Sequence, residues 1–481
     1  MSSASPHFSR VHLLGICGTA MTALAGLLKA QGLRVSGSDE HVYPPMSDHL
    51  RALQIPVSES YRAENLPGDA ELVVVGNVIR ESNPEAVEMR RRNLPFLSMA
   101  EGVQRFAIGS RRSVMVVGTH GKTTTTALAA HALTELGADP GFLIGGIARN
   151  FGSNFHMGGG DLFVIEGDEY DTAYFDKTPK FFKYNPHTVL FTSLEYDHAD
   201  IYPDLDAIRV QFSRLVSSLP ASGLLIAYGD DPNVMALMPL ARCPVVTYGL
   251  GQHNDLRLSG VTVTGDGTQF TIAWQGRVAN WEIPLAGGYN ALNATAVLIL
   301  LERLGYPEQP VRRAFASFQG VKRRQEIRGE AAGVTVIDDF AHHPTAVRLT
   351  IEAVRQRFPG RRIWAVFEPR SFTARGTTFQ DAFAAAFTGA DCVLLAAPFQ
   401  SDYSAGKAVL DTPAIVQALA GQGIEARACP STPDVLGALR EQTRSGDVVL
   451  IMSNGGFDNL HEQLLQALAG RPVDSAEPKA R

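Results

Sequence analysis

The sequence predicts an α/β protein of three successive domains, each built on a largely parallel sheet. Three observations predict it. The chain has 481 residues and 45% hydrophobic content, room for about three domains at ~150 residues each. Short apolar runs alternate with helical patterns, the order that gives parallel sheets with right-handed crossovers. That alternation restarts twice, which places boundaries near 109 and 321 and gives segments 1–108, 109–321 and 322–481.

The first segment opens with Val11–Leu14, a short apolar strand. Gly15 to Gly18 makes a turn, Met21–Lys29 repeats apolar residues at helical spacing, and Gly32 stops the helix. A second strand starts at Arg34–Ser36 and ends in Ser38 and Asp39, completing a βαβ unit. "ELVVVGN", residues 71–77, reads as another buried parallel strand. In the second segment Val114–Val117 is the strand and Thr124–Leu136 the helix. "DLFVIEGDEYD" and "HTVLFTSLEYDH" are strands that end in acidic residues. "VTVTGDGTQFTIAW" alternates and turns like a small antiparallel sheet, so the central sheet is mixed. "GGYNALNATAVLILLERLG" is a helix. The third segment follows "GVKRRQEIRGE", with strands at "VTVIDDF", "RIWAVFEP", "DCVLLAAPF" and "DVVLIMSNGG".

Composition narrows the function classes. The net charge of −6 is spread along the chain without a basic patch, which argues against nucleic acid. Cys17, Cys243, Cys392 and Cys429 lie far apart without metal-type spacing, as in a reduced, cytoplasmic setting. "MSSASPHFSR" has no apolar core of the signal-peptide kind, and no apolar stretch reaches the length of a membrane span. The tail "GRPVDSAEPKAR" is polar and expected to fray. No obligate protein partner is evident.

The strongest chemical signal is "VMVVGTHGKTTTT", residues 114–126. It has the parts of a phosphate-binding loop but is two residues shorter than G-x-x-x-x-G-K-[ST]. A strand ends, Gly118 and Gly121 flank Thr119 and His120, Lys122 and Thr123 follow the second glycine, and the helix begins at Thr124. Backbone N–H groups in such a turn cradle phosphate, the lysine reaches the β- and γ-phosphates, and the Thr123 hydroxyl holds Mg²⁺. Glu166 ends a strand and is followed by Asp168, Glu169 and Asp171. One carboxylate there suits a magnesium shell, which prefers oxygen ligands and keeps several waters; a solvated acidic turn is the alternative. His198 also follows a strand, as a metal ligand or a structural histidine.

The N-terminal loop is weaker. The three glycine positions of a dinucleotide fingerprint hold Gly15, Cys17 and Ala20, and Cys17 obstructs close approach of a pyrophosphate. Asp39 lies at about the right distance for a ribose contact. A redox cofactor, a bare turn and a helix N-terminus facing another phosphate group remain open. Arg323 and Arg324 sit at the second boundary, either to close over a γ-phosphate or as a solvated linker. Asp338, Asp339, His342 and His343 cluster tightly enough for metal, nucleotide or structural contacts.

Taken in order, "GICGTAM", "GTHGKTTTT", "EGDEYD", "EYDHAD", "YNALNA", "RRQE" and "DDFAHHP" resemble the Mur ligase family over nearly the whole chain. These are ATP-dependent ligases that build the peptide of bacterial cell-wall precursors, and the short loop is their form of the P-loop. The resemblance implies an N-terminal Rossmann-like domain for the UDP-sugar, a central P-loop ATPase-type domain, and a C-terminal Rossmann-like domain that closes over the site. It implies ATP and Mg²⁺, with Thr123, Glu166 and His198 serving metal, and Lys122 and Arg324 stabilising the transferring phosphoryl group. Asn290, Asn293, Asp338 and His342 match family positions around the nucleotide; Gly15, Gly18, Ser38 and Asp39 match the UDP end.

Two branches use UDP-N-acetylmuramate, one adding L-alanine and the other the tripeptide L-Ala-γ-D-Glu-meso-diaminopimelate. "GSDEHVYPPMS", "GNVIRESNPE", "DEYDTAYFDKTPKFFKYNP", "EPRSFT" and "MSNGGF" resemble the tripeptide branch. Peptidoglycan recycling is then the implied setting. Because a tripeptide carries several carboxylates, Arg370, with Arg375, is expected to pair with them. Three positions depart from the family: Tyr289 stands where a histidine is usual, Ser193 where asparagine is common, and Phe212 near the place of a carbamylated lysine.

Overall fold

A computed structural model describes residues 8–43, 46–399 and 408–470. The first residues of the N-terminus, Pro44 and Pro45 of "GSDEHVYPPMS", and the polar tail beyond Gly470 lie outside the described residues. The chain gathers into two compact units.

The first unit comprises Met1–Glu195, Leu205–Arg257 and Asn293–Gln319. It holds two sheets. The N-terminal sheet is formed by β1 (Arg10–Leu14), β2 (Arg34–Asp39), β3 (Val57–Glu59), β4 (Leu72–Val75) and β5 (Phe96–Ser98), all parallel, in the order β3-β2-β1-β4-β5. That is the doubly wound order expected of a Rossmann-like domain. The helix Thr19–Ala30 buries eight consecutive residues from Met21 to Leu28. Its Gly26 leaves a notch filled by the Phe155 ring, which would stand 2.0 Å from a Cβ placed there.

The second sheet of this unit contains β6 (Arg112–Val117), β7 (Gly141–Ala148), β8 (Ser153–His156), β9 (Leu162–Glu166), β12 (Pro186–Phe191), β13 (Leu224–Tyr228) and β14 (Val245–Gly249), with the short hairpin β10 (Asp171–Ala173) and β11 (Asp176–Pro179) between β9 and β12. Its order is β14-β13-β12-β6-β9-β7-β8, parallel throughout except for β7 against β8. The inner strand β6 has five buried residues in a row, as a strand covered on both faces requires. Register pairs Val116 with Glu166 and Val117 with Phe191. The chain therefore leaves β6, β9 and β12 at one level, and their carboxyl ends supply the loop, the acids and Thr192 together.

The second unit comprises Tyr196–Asp204, Leu258–Leu292 and Gly320–Arg481. After β15 (Leu256–Val263), β16 (Thr268–Trp274) and β17 (Arg277–Ile283) form the expected antiparallel ladder. The C-terminal sheet runs β18 (Glu326–Ala331), β19 (Val334–Asp339), β23 (Val448–Met452), β20 (Ile363–Phe367), β21 (Cys392–Ala396) and β22 (Glu425–Cys429). Only the edge strand β18 is antiparallel. Alternate residues feed two cores: Ile337, Ala365 and Leu450 on one face, Val336, Trp364 and Val449 on the other. The parallel sheets expected from the sequence thus have antiparallel margins, where hairpins replace crossovers.

Candidate active site

The short loop is built around two glycines that no other residue replaces without strain. Gly118 has φ +125°, and a Cβ there would stand 2.5 Å from Thr192 Oγ1 and 2.6 Å from the Ser193 carbonyl. Gly121 has φ +81° and caps the helix Lys122–Glu135; its Cβ would stand 2.6 Å from Asn293 Oδ1. The helix starts at Lys122, two residues before the sequence suggested, and Thr123 and Thr124 lie buried in its first turn. The loop is tied to the end of β12. Thr119 N donates to the Ser193 carbonyl at 3.0 Å, and the Thr119 hydroxyl exchanges hydrogen bonds with the Glu195 backbone at 2.8 and 3.2 Å. His120 N donates to Ser193 Oγ at 3.0 Å, and its ring lies 3.0 Å from Glu195 Oε2. Ser193, one of the departures from the family, thus holds the loop through both backbone and side chain.

The acidic strand end is divided among specific partners. The Thr123 hydroxyl donates to Glu166 Oε2 at 3.2 Å, and Gly145 N donates to Glu166 Oε1 at 2.5 Å. Lys122 Nζ donates to the Gly118 carbonyl at 2.6 Å and to both Glu169 oxygens at 3.1 Å. Lys180 Nζ reaches Asp168 Oδ2 at 2.7 Å. Burial pulls the Lys122 ammonium down, but the carboxylates of Glu169, Asp168 and Glu166 outweigh it and hold the group above its ordinary value. Burial pushes Asp168 up, but Lys180 overcomes it, with Lys122 adding to the effect, so the acid sits well below the usual carboxylate range. The Glu166 and Thr123 oxygens, side by side at the loop, are hard donors that fit Mg²⁺.

The N-terminal loop is closed on itself. Gly15, at φ +82°, donates its N–H to the Ser38 carbonyl at 2.8 Å. Cys17 N donates to Asp39 Oδ2 at 2.8 Å, and His41 N to Asp39 Oδ1 at 3.0 Å. Gly18 caps the helix Thr19–Ala30. Beneath lies a buried network. His12 Nε2 is 3.2 Å from Ser38 Oγ and 3.1 Å from Glu85 Oε2, while Arg62 N and Asn65 Nδ2 donate to Glu85 Oε1.

Within the second unit, His198 has φ +58° and its N–H donates to Asp197 Oδ1 at 2.7 Å. Burial raises Asp197, but the imidazoles of His198, His342 and His343 outweigh it and lower the carboxyl overall. His343 Nε2 lies 3.1 Å from the Tyr196 carbonyl while its Nδ1 caps the helix Pro344–Arg357. Burial lowers His342, opposed by Asp197 at 3.9 Å. Asp339 accepts from Gln325 N and Ala341 N, each at 2.7 Å, yet burial lifts it above the ordinary range despite the nearby Arg324. Arg323 spans 3.4 Å to Asp338 and donates to the Ser453 and Gly455 carbonyls, and Arg324 lies 4.8 Å over the Phe340 ring. Asn290 Nδ2 donates to the Ala286 carbonyl at 2.8 Å. Tyr289 is half-buried with its hydroxyl on Gln325 Nε2. Arg370 lies 3.9 Å over the Phe399 ring and 3.4 Å from Glu368, whose other oxygen accepts from Ser453.

Three family models match in sequence order. The "Mur ligase family, catalytic domain" matches residues 10–111, the "Mur ligase middle domain" 116–301, and the "Mur ligase, glutamate ligase domain" 323–455. The chain belongs to the Mur ligase family. It is 38% identical over 463 residues to the UDP-N-acetylmuramate–L-alanyl-γ-D-glutamyl-meso-2,6-diaminoheptandioate ligase of Escherichia coli K12, covering 96% of this chain and 98% of that one. It is similar to the crystal structure of a murein peptide ligase, Mpl, from Psychrobacter arcticus, with TM-score 0.74 and 32% identity over 96% of this chain and 99% of that one. It is also similar to the UDP-N-acetylmuramate–alanine ligase MurC of Thermotoga maritima, with TM-score 0.79 but 26% identity, at the same coverages. The two neighbours rank oppositely by fold and by sequence. Backbone shape follows the common architecture, whereas side chains carry substrate choice, so sequence is the better guide to branch.

As a Mur ligase, the chain brings Gly118, Thr119, His120, Gly121, Lys122, Thr123, Thr124, Glu166 and Asn293 together in its first unit. His198, Asn290, Arg324, Asp338, His342 and Arg370 belong to the second. Glu169, Lys180, Glu195, His12 and Glu85 are the participants that the motifs did not assign. Glu169, one residue of the acidic run after Glu166, holds the loop lysine. Phe212, near the place of the family's carbamylated lysine, is buried against Phe191 and Phe181 at 4.9 and 5.4 Å. Among the described residues no helix is long and apolar enough to cross a membrane.

Proposed function

We propose that this Mur ligase joins the lactyl carboxylate of UDP-N-acetylmuramate to the amine of L-Ala-γ-D-Glu-meso-diaminopimelate, releasing ADP and phosphate, as a cytoplasmic step of peptidoglycan recycling. The observation that carries the reading is the near full-length match to the Escherichia coli ligase of that name, together with the intact loop lysine and oxygen pair of the first unit. The γ-phosphoryl group of ATP passes to the lactyl carboxylate, giving an acyl phosphate. The tripeptide amine attacks that carbonyl, and phosphate leaves through a tetrahedral intermediate.

The loop N–H groups receive the phosphates, and Lys122 stabilises the charge that leaves the γ-phosphoryl group. Thr123 and Glu166 are the proposed magnesium ligands, with His198 serving a second ion. Bound Mg²⁺ supplies neutralisation of the phosphate oxygens. Arg324 is assigned to the transferring group, and Asn290, Asn293, Asp338 and His342 to the nucleotide. Gly15, Gly18, Ser38 and Asp39 are assigned to the UDP end, and Arg370 to a peptide carboxylate. We retain 1–108, 109–321 and 322–481 as the UDP-sugar, ATP and ligase segments; the three matched family ranges support that division.

A second reading, addition of L-alanine, is favoured by the higher TM-score of the Thermotoga enzyme. Both are tested by ATP consumption with UDP-N-acetylmuramate plus either amine. Turnover that requires the tripeptide is expected. Turnover with L-alanine alone would establish the second reading, and consumption with neither amine would refute both.

A further inference from the structure

The hairpin segment after Glu166 contributes a buried cation that the ligase reading leaves without a role. Lys180 is 6% exposed, with its ammonium 2.7 Å from Asp168 Oδ2 and 5.5 Å from the Tyr170 ring centre. Backbone bonds fix it there: Lys180 N donates to the Tyr170 carbonyl at 3.1 Å, and the Thr172 hydroxyl ties the hairpin at the Thr178 carbonyl at 2.7 Å. Three carboxylates, Glu166, Asp168 and Glu169, share this strand end with two ammonium groups, Lys122 and Lys180. Asp168 acts electrostatically on both lysines. An uncompensated carboxylate here would repel incoming phosphates and compete with Glu169 for Lys122, and low local dielectric enlarges both effects.

We propose that Lys180 is a positioning residue for nucleotide binding: it neutralises Asp168, so that Lys122 stays registered on Glu169 and the phosphate loop faces a single net negative charge. The inference rests on the ligase reading above, but concerns nucleotide affinity, which is measurable without ligation. Lys180 comes from "DKTPKFFKYNP", whereas the loop and acids lie upstream; the hairpin thus acts as a charge donor to the loop.

The test is a charge-balance cycle. Lys180→Met is expected to raise KM for ATP, and the calorimetric Kd for ATP, about tenfold. Adding Asp168→Asn to that variant should restore both to within about threefold of wild type, a rescue that a purely packing role would not give. Lys180→Arg should stay near wild type, as should Lys177→Met, which removes an exposed partner of Asp171 in the same hairpin. Asp168→Asn alone should leave ATP affinity equal or tighter, which provides a reading even if Lys180→Met fails to fold. A Lys180→Met protein that binds ATP like wild type overturns the proposal. So does a loss that Asp168→Asn does not repair, or weaker binding in Asp168→Asn alone. If the wild type binds ATP but ligates neither amine, the ligase reading fails while the charge-balance result stands.

Discussion

Replacing Gly118 with alanine isolates what the short loop demands. Two costs follow from its surroundings. Its φ of +125° is a region L-residues rarely adopt, which costs about 1–3 kcal/mol. Its new Cβ would meet Thr192 Oγ1 at 2.5 Å, the Ser193 carbonyl at 2.6 Å and Ser193 N at 2.8 Å. Two of those atoms are backbone and give way poorly, so overpacking adds about 1–3 kcal/mol. The total is about 2–6 kcal/mol, and relief requires Thr192 and Ser193 to move from the loop they hold. Gly137 is the control: its φ is +79° with nothing within 4 Å of a Cβ, so Gly137→Ala should cost about 1–2 kcal/mol from conformation alone. Urea unfolding followed by circular dichroism, with slopes compared, measures the difference. ATP-dependent turnover should fall at least about tenfold in Gly118→Ala, because loop geometry is displaced, and stay unchanged in Gly137→Ala. Equal midpoints for the two variants with full turnover in both would refute the reasoning.

Lys122→Ala is expected to abolish ligation while calorimetric UDP-sugar affinity survives; retained turnover would sink the phosphate assignment. Arg370→Ala should raise the tripeptide KM about tenfold or more and leave the KM for ATP alone, since a charge-assisted carboxylate contact is lost; unchanged kinetics would remove Arg370 from the peptide site. Burial and then Asp39 push the Cys17 thiol up to about 11. Its thiolate should therefore be scarce at neutral pH, and iodoacetamide labelling should accelerate about tenfold per pH unit until that value is approached. Labelling of Cys17 that is rapid and flat across pH 7 to 9 would contradict it.

Much of this was legible in the sequence because it is local. A strand, a glycine turn and a helix start occupy adjacent residues, and the strand that ends in Glu166 and the strand that precedes His198 are both placed by apolar runs alone. The helix start was misplaced by two residues because consecutive threonines are weak helix formers, and here the loop geometry overrides propensity. What the sequence could not reveal is pairing across distance. Glu169 and Asp168 are neighbours of one acidic run, yet one is taken by Lys122 and the other by Lys180, a choice made by how the hairpin folds back. The mutual bonds of Thr119 and Glu195 join residues far apart in the chain. His12 and Glu85 meet only because β1 and the helix Pro84–Arg91 face each other. Tyr289 shows the same limit: its partner Gln325 lies across the second boundary of the sequence reading.

The ring of Phe155 seated on Gly26 bears on how the chain can be cut. An N-terminal fragment ending near residue 109 would lose the aromatic plug and leave an apolar notch in the helix Thr19–Ala30 open to water. The complementary fragment would carry Phe155 without its socket. Division of labour and division of packing thus differ in this enzyme: the segments we propose for the UDP-sugar and for ATP share an interior at Gly26 and Phe155. Recombinant dissection should keep them joined through Gln319, and chimeras within the family should exchange them as a pair.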